Sequence, residues 1–418
     1  MRTAASFAMA SPLRSAPTPT MPALDRLGRQ VQRQFTQHRW PLRLKVVRET
    51  RSAWDAAAEA MPHDAAATSK KCLLDLKNVC WDGPQGRRFH ALVWTLAAAG
   101  FEVGVVPRRR FLQTGHRIYK RRALLRTRPI SPESASRSAF DLCITDHAAC
   151  ADHGHRGERY RQFHLVDGQF GSTDADCQLP FTPHPDPIDA GVTDPGSISH
   201  LRASRRRWPI VFAGFQRPSG YDRLWPEYRH FIARHRVIAT AKSCVNGRTH
   251  EVRSSEDYAA VRDADAEMLI NVTLVNCVAE DFRIPSDQWF ETLASSRFFL
   301  AAPGCRYPMS HNAVEAMVLG TVPIIQYGDL FDPPLRDGEN CLAYHDEASL
   351  RSAILRAETM DADRWRQMSA SAIRYYNENM APEAVVARWL ATSGNAAIDM
   401  FPYLKACRPA ARRKKSAA

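Results

Sequence analysis

Residues 296–325, SRFFLAAPGCRYPMSHNAVEAMVLGTVPII, constrain the fold of this chain more than any other stretch. An apolar strand run (Phe298 to Ala302) meets a Pro303-Gly304 turn and a polar loop. A short helix then opens at Ser310-His311-Asn312, carries Glu315 near its start and stops at Gly320. Pro323 follows, and Ile324-Ile325 read as a second buried strand. The unit is therefore strand, loop, helix, strand, with the loop and helix N-terminus at the carboxyl end of a parallel strand. In an open α/β sheet that edge is where ligands bind. The free N–H groups of a helix N-terminus favour an anion there, such as a phosphate.

A chain of 418 residues predicts two domains, since one hydrophobic core rarely serves that length. Lys and Arg number 57 against 44 Asp and Glu, and the formal charge of +13 calls for an anionic partner: nucleic acid, an acidic membrane surface or a phosphorylated substrate. No apolar run approaches the roughly 18–20 residues that span a bilayer. Ala4 to Ala10 is too short for the core of a secretory signal. The first 24 residues lack acidic side chains and read as a disordered lead, with Met21 an alternative start. The ten cysteines form no C-x-x-C pair, so they are expected to be reduced and structural, in a cytoplasmic protein without a metal or cofactor.

Residues 26–51 form a basic segment in which Leu27, Val31 and Phe35 recur every four positions. Two readings stand: a peripheral helix on an anionic membrane, or a solvated helix docked on the protein body. No aromatic interleaving favours nucleic acid. From Lys70 to Pro107 the pattern is strand, Gly83–Gly86 loop, helix from Arg87 to Ala99, Gly100 as the residue past the helix end, then strand from Phe101 to Val106. That is a βαβ unit, right-handed by rule. Further strands are expected at Phe140 to Thr145 and Gln162 to Val166. Residues 168–207, rich in Pro, Gly, Asp and Ser, read as a linker and surface excursion. The second domain is expected to begin with a strand from Trp208 to Ala213. A helix near Trp225 to Arg234 follows, then strands at Arg236 to Thr240 and Met268 to Val275, and a helix at Asp287 to Ser295. A late strand at Asn340 to Tyr344 precedes helices at Leu350 to Ala357, Ala362 to Met380 and Pro382 to Leu390. The expected divisions are 1–50 (lead and basic segment), 51–200 (acceptor-side domain with linker), 201–390 (nucleotide-sugar domain) and 391–418 (terminal segment and basic tail).

The run from Arg283 to Ala357 resembles the donor-binding half of GT-B glycosyltransferases, especially the exostosin-like and group 1 families. The shared pattern is Glu315-Ala316-Met317, Gly320, then Val322-Pro323-Ile324-Ile325, followed by Asp337-Gly338-Glu339-Asn340. Gly83 to Val106 is similar to the first βαβ of the same fold, and Gly214 to Gly220 occupies the place of a basic loop. The resemblance implies an α/β fold of two Rossmann-like domains facing a cleft, the closing helices from Pro382 onward crossing back to the first domain. It implies glycosyl transfer from a nucleotide-diphosphate sugar to a saccharide or lipid-linked acceptor, as in the synthesis of cell-envelope or surface polysaccharide. Tyr307 stands where group 1 enzymes carry a second glutamate, and Asn312 where the exostosin pattern has Arg. Retention or inversion therefore stays open at this point. A sugar-nucleotide epimerase of the same fold, and a non-catalytic basic protein that binds glycans or nucleic acid, are the alternatives.

The implied site residues follow. Glu315 would accept bonds from two ribose hydroxyls, each charge-assisted bond worth about 1.5–3 kcal/mol. The spacing Asn312-x-x-Glu315 is equally that of a capping box. Ser310, His311 and Asn312 would donate to a diphosphate or act as N-caps. Arg217 and Arg306 would balance the charge of the leaving nucleoside diphosphate in place of a metal, with Gly304 and Gly86 in the loops that line the cleft. Asp82, Asp146 and His147, on loops of the first domain, are the candidates for a base that deprotonates the acceptor.

Overall fold

The computed structural model describes residues 43–61, 70–137, 140–147, 161–166, 175–220, 228–264, 272–304, 307–392 and 396–401. Its first sheet grows from β1 (Lys70–Asp75), whose side chains are buried from Cys72 onward. Such a run, apolar on both faces, suits a parallel strand covered by helices on either side. β2 (Phe101–Val105), β3 (Arg128–Pro129), β4 (Leu142–Thr145), β5 (Arg161–Val166) and β6 (Cys177–Gln178) follow along the chain. The second sheet comprises β7 (Trp208–Gly214), β8 (Thr249–Val252), β9 (Leu274–Val278), β10 (Ser296–Ala301), β11 (Val322–Ile325) and β12 (Leu342–Ala343). β13 (Ala396–Asp399) is the last described strand, and it returns to the first sheet.

The first sheet has the order β3-β2-β1-β4-β5-β13-β6 and the second β12-β11-β10-β7-β9-β8, with every pairing parallel. The expected α/β class with two Rossmann-like sheets therefore holds. Each order changes direction once beside its first strand, between β1 and β4 and between β7 and β10. Those are the topological switch points at which an α/β sheet opens a crevice beyond its carboxyl ends.

The chain crosses between the units more than once. Helix Pro382–Ala391 leads back to the first sheet, and Trp389 Nε1 donates to the Gln178 carbonyl at 3.1 Å. The buried Arg88 guanidinium ties the return down by donating to the carbonyls of Met400, Pro180 and Leu179 at 2.6–3.0 Å. At the front, the helix over residues 43–59 docks on the first unit. Trp54 is fully buried and its Nε1 donates to the Thr127 carbonyl at 2.8 Å. This is the docked alternative for the part of the basic segment that is described; Leu27, Val31 and Phe35 lie outside the described residues.

Three expectations are corrected. The helix expected near Trp225 to Arg234 is not formed over the described residues 228–233, and a helix begins only at Arg234. Residues 236–240 are not a strand but lie inside helix Arg234–Cys244, because Val237, Ile238 and Ala241 bury one helical face. The segment read as a linker, 168–207, holds β6 and helices Pro185–Asp189 and Pro195–Arg202. Each of these helices starts on a proline, the position where the missing N–H costs nothing, so the Pro-rich composition concealed them. Among the described residues no helix is long and apolar enough to cross a membrane.

Candidate functional site at the facing sheet edges

β1 ends on Asp75 and β4 runs out into Asp146-His147, so the first switch point gathers two acids and a histidine. His147 Nε2 lies 3.3 Å from Asp75 Oδ1. Arg108, just past β2, holds the other side of Asp75 by two bonds of 2.7 Å. Asp75 is fully buried, which acts to raise its pKa, but the bonds and charge of Arg108, then those of His147, hold it below the ordinary carboxylate value. The result is a fixed carboxylate behind an imidazole. Both nitrogens of that ring are buried; Nδ1 has no hydrogen-bond partner among the described residues, and the Nε2 contact with Asp75 is a close charge contact rather than a formed hydrogen bond.

The other two candidate bases are already committed to the scaffold. Asp146 accepts the backbone N–H groups of Lys77 and Asn78 at 2.8 and 2.6 Å, and Trp81 Nε1 at 2.7 Å. It shapes the turn after β1, with three donors already on its two oxygens. Asp82 is fully buried, paired with Lys120 Nζ at 2.8 Å and bonded by the Thr114 hydroxyl at 2.5 Å. Burial draws Lys120 down to about 8, against the pull of Asp82. Gly86 belongs to the same clamp: its φ is +92°, and an added Cβ would stand 2.3 Å from the Lys120 backbone nitrogen. Packing on the 118–124 helix is what demands a glycine there.

Across the cleft, helix His311–Val318 begins after Ser310, which occupies the N-cap without a side-chain cap bond. The Asn312-x-x-Glu315 capping box is therefore absent, because the helix starts one residue ahead of Asn312. Glu315 is fully buried, and both of its oxygens are occupied. The His184 backbone N–H donates to Oε1 and Trp289 Nε1 to Oε2, each at 2.7 Å. The carboxylate expected to take ribose hydroxyls is instead a latch between the 184–189 segment and the second sheet. Burial raises its pKa to about 7, opposed by the His184 and Trp289 bonds and the charge of Arg87.

That shift carries a sign. An acid raised from about 4.5 unfolded to about 7 folded contributes most to stability below pH 4.5. The contribution is lost as pH rises to 7 and stays lost above it. A span of that size corresponds to about 3 kcal/mol. Glu315→Gln has no such titration, so the unfolding free energy of wild type relative to the variant should fall by up to about 3 kcal/mol from pH 4.5 to pH 8. Urea titrations at four pH values measure this, and a flat difference contradicts it.

Around the helix N-terminus the structure collects cationic and neutral donors. The His311 and His184 rings lie 4.7 Å apart. His184 is held down to about 4 by burial and by Arg87. His311 is held well below the usual imidazole value by burial, then by His184, Arg87 and Arg234. Arg87 opens the first domain's helix Arg87–Ala98 and lies over the Tyr119 ring at 5.3 Å. Arg234 opens the helix after β7 and donates to the Pro303 carbonyl at 3.0 Å. Beneath Ser310, the buried Tyr327 hydroxyl is raised to about 12 by burial. The neighbouring Tyr344 hydroxyl is also buried and has no hydrogen-bond partner among the described residues.

The remaining expected donor contacts fall as follows. The Gly304 N–H is used within its own loop, donating to the Pro308 carbonyl at 2.9 Å. The N–H groups of Gln216 and Arg217 both donate to Glu280 Oε1 at 2.6 Å, so an internal carboxylate fills that loop while the Arg217 side chain is exposed. Arg306 lies outside the described residues. Sequence reasoning missed Asp75, Arg87, Arg234 and His184. Asp75 and Arg87 did carry a signal, as the acid that closes a buried strand and the cation that opens a helix after a glycine loop. His184 sits in the proline-rich stretch and offered none.

No family model matches this chain, and no curated protein matches it. Among solved structures it is similar to Anabaena Alr3699/HepE in complex with UDP, at 13% identity over 77% of this chain and 99% of that one, with a TM-score of 0.37. It is similar to a glycosyltransferase from Rickettsia africae, at 8% identity over 81% and 99%, TM-score 0.38. It is also similar to T4 phage β-glucosyltransferase, at 9% identity over 77% and 97%, TM-score 0.33.

Proposed function

We propose that this chain is a glycosyltransferase of GT-B architecture, moving a sugar from a nucleoside-diphosphate donor to a hydroxyl of a saccharide acceptor. The observation that carries the reading is the presence of two sites, one at the carboxyl edge of each sheet. An imidazole backed by a buried carboxylate stands at the switch point of the first sheet. A helix N-terminus flanked by Arg87 and Arg234 stands at the carboxyl edge of the second. A diphosphate on the His311 helix would meet N–H donors, the helix dipole and two guanidinium groups as leaving-group charge develops. His147 would take the acceptor proton on Nδ1, with Asp75 stabilising the imidazolium that forms. A general base in this position is the requirement of an inverting transfer.

Arg87 and Arg234 would balance the diphosphate charge as it develops. Among the described residues no group of three or more His, Cys, Asp or Glu is placed to hold a metal ion. The Ser296–Leu342 block bears on the donor alone; a saccharide or lipid-linked saccharide of a surface glycan is the acceptor class we propose from the GT-B resemblance as a whole. Incubation with a panel of nucleotide sugars, with and without saccharide acceptors, tests the proposal. Acceptor-dependent release of nucleoside diphosphate is expected. No release from any donor, together with salt-sensitive retention on nucleic acid, would mark a basic binding protein instead.

A further inference from the structure

Val103 to Pro132 contain eight arginines and a lysine and no acidic residue. Most of these cations are neutralised from elsewhere in the chain. Arg108 pairs with Asp75, Lys120 with Asp82, Arg122 and Arg126 with Asp189, and Arg128 with Glu102. The pairs leave charge on Arg110 and Arg117, and also on the exposed Arg121 of helix Ile118–Leu124. Arg110 is exposed and pairs with no carboxylate among the described residues, and His116, further along the same segment, is exposed too. Arg117 is 38% exposed and reaches Asp82, which already holds Lys120 and Thr114, only at 3.3 Å.

Arg110, His116 and Arg117 lie on the segment that joins the carboxyl end of β2 to helix Ile118–Leu124. Arg108 begins that segment, and through Asp75 it leads to His147 in two contacts. Ile118, next to Arg117, is 44% exposed. The excess positive charge thus stands on the first domain, beyond the carboxyl end of β2, whereas Arg234 and the His311 helix belong to the second.

We infer that this rim selects an acceptor bearing a negatively charged group, a phosphate ester or a carboxylate, which docks on Arg110, His116 and Arg117 while its hydroxyl meets His147. The inference rests on the reading of the first domain as the acceptor side. An exposed cation contributes through charge-assisted bonds to the anion, which a neutral saccharide cannot accept with the same strength.

Calorimetric titration at low salt separates the two readings. Glucose 6-phosphate and glucuronate are the anionic probes, glucose the neutral one, and the common nucleoside diphosphates report on the donor site. Wild type should bind at least one anionic sugar and bind glucose far more weakly. Arg110→Gln/Arg117→Gln should weaken the anionic sugar about tenfold, a change of about 1.4 kcal/mol. Nucleoside diphosphate binding and the urea midpoint should stay unchanged in the same variant. Absence of anionic-sugar binding to wild type, equal binding of glucose, or equal loss of both ligands overturns the inference. Failure of every nucleoside diphosphate to bind wild type counts against the glycosyltransferase reading itself.

Discussion

Replacing His147 by alanine is expected to lower kcat for acceptor-dependent release of nucleoside diphosphate by about 10²–10⁴-fold, the range that general-base catalysis contributes. The donor's affinity should be unchanged, because the helix N-terminus, Arg87 and Arg234 are untouched. Asp75→Asn should also lower kcat strongly with the ring still in place. It removes the carboxylate 3.3 Å from Nε2 and leaves Arg108 facing an amide. The imidazolium then forms beside a guanidinium without a compensating charge. Asp75 acts through His147, so its loss should move the acidic limb of the kcat–pH profile as well as its height. A purely structural Asp75 would lower the amount of folded enzyme and leave the profile in place. Unchanged kcat in His147→Ala would remove the base from the account and admit a retaining transfer.

Arg206→Ala is expected to cost about 3–4 kcal/mol of stability, a large loss for one side chain outside the apolar core. Arg206 Nη1 donates to Ala294 at 2.7 Å and to the Thr321 hydroxyl at 3.1 Å, with longer contacts to Leu293 and Ser296, and Nη2 donates to Leu319 at 2.5 Å. Ala294 ends helix Ser286–Ala294, and Leu319 caps helix His311–Val318. One guanidinium therefore satisfies the terminal carbonyls of two helices and places a cation at both negative ends. Burial pulls its pKa down to about 10, still charged at neutral pH. Truncation leaves those carbonyls without donors, whereas Arg206→Lys offers a single point of attachment and should recover only part of the loss. Denaturation by urea reads the difference as a lower midpoint. Because the His311 helix is one of the two anchored elements, nucleotide affinity should weaken along with stability. A variant within about 0.5 kcal/mol of wild type would show that the carbonyls find other donors.

The sequence made the second sheet's central unit legible because each element was written in its own period. β10 is a continuous apolar run from Phe298 on, the helix after it is closed by Gly320 at φ +74°, and Pro323 opens no gap in a buried strand. Likewise the 87–98 helix ends before Gly100 at φ +85°, as its composition indicated. Long-range pairing was not legible. Nothing local to Ala396–Asp399 says that this strand inserts between β5 and β6, across more than two hundred residues of chain. The site shows the same division. His147 was found from its place after a strand, but its partner Asp75 depends on the β1–β4 pairing. Glu315 was singled out by motif, and only the approach of His184 and Trp289 reveals that its oxygens are taken. Asp82 and Asp146 failed as bases for one reason: a buried carboxylate near a turn collects backbone and cationic donors before any substrate arrives.

The most direct test of the cleft is calorimetric titration of nucleoside diphosphates into wild type, Arg87→Ala and Arg234→Ala, which remove one cation from each side. The account predicts that at least one nucleoside diphosphate binds wild type and that each variant weakens it tenfold or more, about 1.4 kcal/mol or more, with the urea midpoint retained. Binding that survives both substitutions, or its absence for every nucleoside diphosphate in wild type, would contradict a donor site between the two sheets.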